Sequence, residues 1–142
     1  MRLSSDAARA RFVAARVARL ATVGADGRPH LVPVTFAVDG DVVAFAIDHK
    51  PKSTTDLRRL RNIAGNPAVS LLVDVYDDDW ERLWWVRADG RAGLAAPGER
   101  AEAVARLAGK YPQYRERVPD GAVVLTRVTE WRGWAAASGD TV

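Results

Sequence analysis

The segment His49-Lys-Pro-Lys-Ser-Thr-Thr-Asp-Leu-Arg-Arg-Leu-Arg-Asn62 gathers lysines, arginines and hydroxyls where a helix begins. Ser53, Thr54, Thr55 and Asp56 are all of the types that cap a helix. A helix entrance also leaves backbone N–H groups without intrahelical partners, and its dipole favours negative charge. Lys50, Lys52, Ser53 and Thr54 precede the predicted helix, and Arg58 and Arg59 lie on its first turns, so several of them can converge on one anion. The chemistry this predicts is retention of a phosphate group. No fixed-spacing phosphate loop of the Walker kind is present, and the same residues also suit a solvated basic helix face.

The remaining reactive side chains offer no catalytic constellation. His30 and His49 share no metal-ligand spacing with each other or with a carboxylate, and both read as structural. The acidic run Asp77-Asp-Asp-Trp-Glu81 lacks the spacing of a calcium loop and reads as a solvated turn. The absence of cysteine excludes thiolate metal sites, thiol catalysis and disulfides, and no nucleophile elbow with a matching base is found. No residue is therefore assigned as catalytic or as a metal ligand, and any reaction falls to a bound cofactor. The net charge of +3 comes from arginines scattered through Ala-rich segments rather than from a basic patch interleaved with aromatics, so no nucleic acid is expected. No run approaches the roughly 20 apolar residues of a membrane span, and the N-terminal residues lack the apolar core of a signal peptide. The expectation is a soluble, cytoplasmic protein acting on a small molecule.

The elements that must position the basic segment follow from periodicity. One domain, residues 1–142, is expected from the length. A first helix over Ser5–Arg16 presents Ala8, Phe12 and Val13 on an apolar side and closes one end of a barrel. Strands are predicted at Ala18–Val23, His30–Val38, Val42–Ile47, Ala68–Tyr76, Arg82–Leu94 and Ala122–Ala136, with turns at Gly24–Pro29 and Asp39-Gly40. The basic helix runs from about Thr55 to Ala64, stopped by Gly65-Asn-Pro67; a third helix covers Pro97–Gly109. Asp89-Gly90 and Gly93 inside the fifth strand predict a bulge that curls the sheet. The result is a mainly β protein with helices, a six-stranded curled antiparallel sheet. Trp84 and Trp85 are adjacent on a strand and face opposite sides; with Trp131 and Trp134 they predict either packing or a partner-subunit interface with aromatic clefts.

In their order and spacing, several stretches resemble a known family. These are Ala18-Arg-Leu-Ala-Thr-Val23 with Gly27-Arg-Pro-His-Leu-Val-Pro-Val-Thr-Phe36, Lys50-Pro-Lys52 through Arg61-Asn62 to Asn66-Pro67, Leu83-Trp-Trp-Val-Arg-Ala-Asp-Gly-Arg-Ala92, and Trp131-Arg-Gly-Trp134. Together they resemble the pyridoxamine 5′-phosphate oxidase-like superfamily of split β-barrel flavin and deazaflavin oxidoreductases, in particular its branch of probable users of the deazaflavin coenzyme F420. The resemblance implies a split barrel and a homodimer with two cofactor sites at the subunit interface. It places the ring of the cofactor along Pro33, Val34 and Thr35, its phosphate at Lys50, Lys52, Ser53, Arg58 and Arg59, and a residue of the partner strand, Trp85 or Arg87, beside it. Relatives carry lysine where Arg59 stands here. The implied activity is hydride transfer between F420 and an unsaturated small-molecule acceptor. FMN is the alternative cofactor, and a non-catalytic flavin- or F420-binding protein is the alternative role. The extra positive charge favours F420, whose tail is poly-acidic.

Overall fold

The computed structural model describes residues 1–47 and 57–137. Helix α1 spans Ser5–Ala14, capped at its N-terminus by the Ser4 hydroxyl, which accepts from the Ala7 N–H. Strands β1 (Ala18–Val23) and β2 (Pro29–Val34) form a hairpin whose turn places Gly27 at φ 81°. After Thr35 and Phe36 come β3 (Ala37–Asp39) and β4 (Val42–Ala46), joined through Gly40 at φ 60°. The chain continues through α2 (Arg58–Gly65), β5 (Ala68–Val75), β6 (Trp84–Leu94), α3 (Pro97–Lys110), α4 (Pro112–Glu116) and β7 (Val123–Ala135). Both glycines supply the positive φ that these turns need.

The sheet is antiparallel throughout, in the order β2-β1-β5-β6-β7-β4-β3. Its two outermost strands, β2 and β3, are consecutive in the chain. Val34 and Ala37 can be at most about 11 Å apart, so the seven-stranded sheet has to curl until its edges nearly meet. The seam between those edges is the split of the barrel. The expected six strands become seven because His30–Val38 is not one strand: the chain leaves one edge at Val34 and joins the other at Ala37. The expected bulge is present between Asp89 and Gly90, where the β6–β7 register shifts, and it adds local twist and bend. Helix α2 begins at Arg58, with Leu57 as N-cap, rather than near Thr55. The expected caps Ser53, Thr54, Thr55 and Asp56 lie outside the described residues. Helix α1 ends at Ala14 rather than Arg16, and α4 was not expected.

Two packing layers follow from strand alternation. The barrel interior holds Leu20, Val34, Phe36, Val43, Phe45, Leu71, Val86 and Val124, and α1 inserts Ala8 and Phe12, both fully buried. The Phe12 ring lies 4.8 Å from that of Phe36 and 5.2 Å from that of Trp131. Ala44 and Ala46, on the opposite face of β4, pack with Ala103, Leu107, Tyr111 and Tyr114 of α3, α4 and their junction. Strand β4 is thus covered on both faces, which explains its unbroken apolar run Val42-Val-Ala-Phe-Ala46. Among the described residues no helix covers the outward face of β2, β1, β5 and β6: Leu31 is 68% and Leu72 37% exposed. Among the described residues no helix is long and apolar enough to cross a membrane.

Candidate cofactor site at the barrel seam

The seam opens into a hollow of about 230 Å³ lined by Val17, Pro33, Val34, Thr35, Ala46 and Arg59. Each comes from a different structural necessity. Val17 leads into β1, Pro33 and Val34 end β2, Thr35 begins the crossing, Ala46 ends β4, and Arg59 sits on the first turn of α2. Among the described residues the wall is mostly aliphatic, with the Thr35 hydroxyl and the Arg59 guanidinium as its polar side-chain groups, a donor set that suits a planar apolar ring bearing an anionic substituent. Helix α2 is held over the β1 end by a buried hydrogen bond in which Asn62 Nδ2 donates to Thr22 Oγ1 at 3.0 Å. Leu57 has no polar side chain to cap α2, and its first turn carries no acid.

Behind Thr35 stands a cluster that sequence reasoning missed. Thr35 Oγ1 and Tyr114 Oη are 2.8 Å apart. The Tyr111 hydroxyl accepts from the Phe36 N–H at 3.1 Å and lies within donating distance of the Phe36 and Arg16 carbonyls, at 3.0 and 2.9 Å. Arg16 donates to the Lys110 carbonyl, and Lys110 Nζ donates to the Ala15 carbonyl at 2.7 Å. The ammonium also lies 3.8 Å from the Phe36 ring centroid, a cation–π arrangement. Burial, and secondarily the Arg16 charge, lowers the Lys110 pKa to about 8. Burial also pushes the Tyr111 phenol above its ordinary value. The signal available in sequence was Tyr111-Pro-Gln-Tyr114: two rings with polar tips one turn apart, directly after α3.

The expected site residues separate into three groups. Pro33, Val34, Thr35 and Arg59 line one hollow, to which the fold adds Val17 and Ala46. Arg58 is exposed on α2 and does not line it. Lys50, Lys52 and Ser53, like His49, lie outside the described residues. Trp85 is elsewhere: it pairs across strands with Trp134 and borders a separate groove of about 320 Å³ with Arg2, Leu3 and Arg132. Trp84 faces the other way, packing against the core under Arg11. Arg87, on the same outward face as Trp85, is paired with Asp89 at 2.9 Å. The acidic turn carries a single 3₁₀ turn at Trp80–Arg82 and is exposed. Among the described residues no three His, Cys, Asp or Glu side chains are grouped to hold a metal.

A curled antiparallel sheet, split between two chain-consecutive strands and hollow at the split, defines a split barrel of the flavin-binding type. The chain belongs to the pyridoxamine 5′-phosphate oxidase family, whose profile matches residues 4–135. It is 43% identical over 56 residues to a 5a,11a-dehydrotetracycline/5a,11a-dehydrooxytetracycline reductase of Streptomyces rimosus. That match takes in 39% of this chain and 38% of the length of the curated relative. Among solved structures, an FAD-binding protein of Mesorhizobium loti superposes with a TM-score of 0.69 at 21% identity, over 94% of this chain and 93% of its own. A heme-binding protein of Mycobacterium smegmatis superposes with a TM-score of 0.74 at 22% identity, over 100% of this chain and 58% of its own. At these identities the two structures establish the fold, and their different ligands show that the fold alone does not select one.

Proposed function

We propose that the protein is an oxidoreductase that binds F420 at the barrel seam and reduces an unsaturated small-molecule acceptor, with FMN as the alternative cofactor. The observation that carries this reading is the convergence of Pro33, Val34, Thr35 and Arg59 on one hollow. Pro33 and Val34 offer the aliphatic wall for a tricyclic ring, and Arg59 offers a guanidinium for the phosphate. Lys50, Lys52, Ser53 and Arg58 add donors from the neighbouring sequence. That density of cations suits the acidic tail of F420 more than the single phosphate of FMN. Membership of a family named for an oxidase, and similarity to a reductase of a dehydro compound, support redox chemistry on an unsaturated acceptor.

When bound, the cofactor supplies the hydride chemistry. The protein's part is to hold the ring against Pro33 and Val34, to fix the phosphate with Arg59, and to keep water from the ring face. The reading includes a homodimer. The outward face of β2, β1, β5 and β6, with exposed Leu31 and Leu72, is the surface on which a second copy would sit, bringing its Trp85 face towards this protomer.

Fluorescence titration with oxidised F420 and, in parallel, with FMN at two salt concentrations tests the proposal. Micromolar or tighter, salt-sensitive binding of F420 with weak FMN binding supports it; preference for FMN moves the protein to the flavin alternative. Arg59→Ala is expected to weaken binding by about 1–3 kcal/mol, the range for a hydrogen bond to a charged group, or ~5- to 150-fold. Binding of neither cofactor refutes the reading. Turnover of an enone and quinone panel by the F420-loaded, reduced protein separates an enzyme from a carrier.

A further inference from the structure

Away from the seam, the first half of α3 stands over β3, β4 and β7 without filling the space beneath it. The buried residues of this helix are Ala103 and Leu107, and Leu107 lies towards Tyr111 and Tyr114 at its far end, so the first half has only an alanine to bury. The strand residues that face it are small as well: Ala37 and Ala44, each, like Ala103, 5% exposed. The result is a slot of about 170 Å³, floored by these three alanines and flanked by Val42 and Leu125. An apolar space of ~150 Å³ accommodates a benzene-sized molecule.

The rim of the slot is charged, and its charges do not balance. Glu99 is fully engaged: one carboxylate oxygen accepts from the Ala96 N–H and the other from Arg127, each at 3.0 Å, and these bonds hold its pKa below the ordinary value. Arg106 reaches across to Asp39 on β3 at 3.2 Å. It thereby passes over Glu102, which lies one turn earlier on the same helix and is the ordinary i, i+4 partner for an arginine. Among the described residues the Glu102 carboxylate makes no hydrogen bond or ion pair, and Glu102 is exposed at the edge of the slot. Three carboxylates and two arginines line the slot, and the uncompensated charge is that of Glu102.

We propose that the slot under α3 is a second ligand site, for a small organic cation: a primary amine or guanidine on a compact apolar body, with the body on the alanine floor and the charged group at the Glu102 carboxylate. The sign follows from the rim. An anionic ligand would meet Glu102 and find both arginines already paired, whereas an ammonium completes the pairing that the helix leaves open. The size follows from the floor, since a larger side chain at position 37, 44 or 103 would occupy the space itself. The inference does not rest on the cofactor reading, and the slot shares no lining residue with the hollow at the seam.

The probe is benzylammonium, with benzyl alcohol as its neutral counterpart and benzoate as the anionic one, each titrated into the full chain at two salt concentrations and followed by amide and methyl NMR. Benzylammonium should bind with a Kd of about 1 mM or tighter. It should bind ~2- to 5-fold more tightly than benzyl alcohol, the range for a charge pairing with an exposed carboxylate, and that margin should shrink at high salt. Benzoate should bind more weakly than either. Shifts should concentrate at Ala37, Ala44 and Ala103. Glu102→Gln should remove the preference for the cation and leave the affinity for benzyl alcohol unchanged. Ala103→Leu should fill the slot and abolish binding of both, with a melting temperature at or above that of wild type; if it does not fold, Ala103→Val makes the same comparison with a smaller plug. Absence of saturable binding, or shifts centred on Thr35 and the seam, overturns the site. Equal affinity for cation and alcohol, or a cation preference that survives Glu102→Gln, overturns the ligand class. Neither judgement depends on whether F420 or FMN binds.

Discussion

Gly90→Ala is expected to destabilise the protein by about 3 kcal/mol, whereas Gly93→Ala, three residues further along the same strand, should leave it within about 0.5 kcal/mol of wild type. A Cβ on Gly90 would fall on the Arg127 carbonyl oxygen, with the Arg127 carbonyl carbon at 2.9 Å and the Val128 Cα at 3.0 Å. All three are backbone atoms of β7, so no rotamer change relieves the overlap. β6 and β7 must move apart at the bulge, where Gly90 is paired with Val128. Overpacking of this sort costs about 1–3 kcal/mol. Loosening the adjacent contacts, among them the hydrogen bond from Val128 N–H to the Asp41 carbonyl at 2.7 Å, adds roughly 1 kcal/mol. A Cβ on Gly93 meets nothing within 4 Å. For a chain of 142 residues, a loss of about 3 kcal/mol corresponds to a fall in melting temperature of roughly 9–15 °C. Calorimetry of wild type and both variants at one protein concentration makes the comparison, since any self-association shifts melting with concentration. Equal melting of Gly90→Ala and wild type, or an equal fall for both variants, would refute the claim that close backbone approach at the bulge requires glycine.

Two further outcomes follow from the helices around the seam. Asn62→Ala leaves the buried Thr22 hydroxyl without its donor and should cost about 1–3 kcal/mol; adding Thr22→Val should restore part of that loss, because removing both polar partners is cheaper than removing one. Chemical denaturation of the three variants checks it, and a double variant no more stable than Asn62→Ala would count against the pairing. For Lys110, the folded pKa of about 8 lies below the ordinary 10.5. Between those values the unfolded chain binds more protons, so this group makes stability rise with pH, and below about 8 its contribution is flat. The half-exposed ammonium is partly screened, so the slope should be under the one-proton limit of about 1.4 kcal/mol per pH unit. Tyr111, whose pKa is raised above 10.0, opposes the trend above pH 10. Denaturation from pH 8 to 10 should therefore show a rise in wild type that Lys110→Met lacks; parallel profiles would refute it.

How much of this was legible in sequence depended on whether the information was local. The β1–β2 turn and the Asp39-Gly40 turn are written by glycines at positive φ, the Asp89-Gly90 bulge by a glycine where a Cβ has no room, and each was found where expected. The opposed faces of Trp84 and Trp85 followed from strand alternation alone. The break at Thr35-Phe36 was not legible: Val32, Val34, Phe36 and Val38 keep a perfect alternation through it, so periodicity reads one strand where two edges of a barrel meet. Nothing in the predicted helix over Pro97–Gly109 indicated that Tyr111 and Tyr114 would turn back to that break. Their partners, Thr35 and Phe36, lie more than seventy residues away.

That failure of local reading and the location of the hollow have one physical origin. Inside a continuous sheet each strand's backbone is paired with its neighbours, and side chains fill the interior; no space and no free donor remain for a ligand. Only where the sheet fails to close, between β2 and β3, does the fold leave both a gap and polar groups that need partners from outside the ladder. Tyr111 meets the backbone's need at Phe36, and the Thr35 hydroxyl, hydrogen-bonded with that of Tyr114, borders the gap. Arg59 reaches the same gap because the buried Asn62–Thr22 hydrogen bond ties α2 to β1, the strand next to the open edge. Weakening that tie should therefore tell on ligand affinity as well as on stability, and Asn62→Ala, assayed well below its melting temperature, should bind the cofactor more weakly than wild type. Undiminished affinity in that variant would mean that Arg59 does not hold the anion.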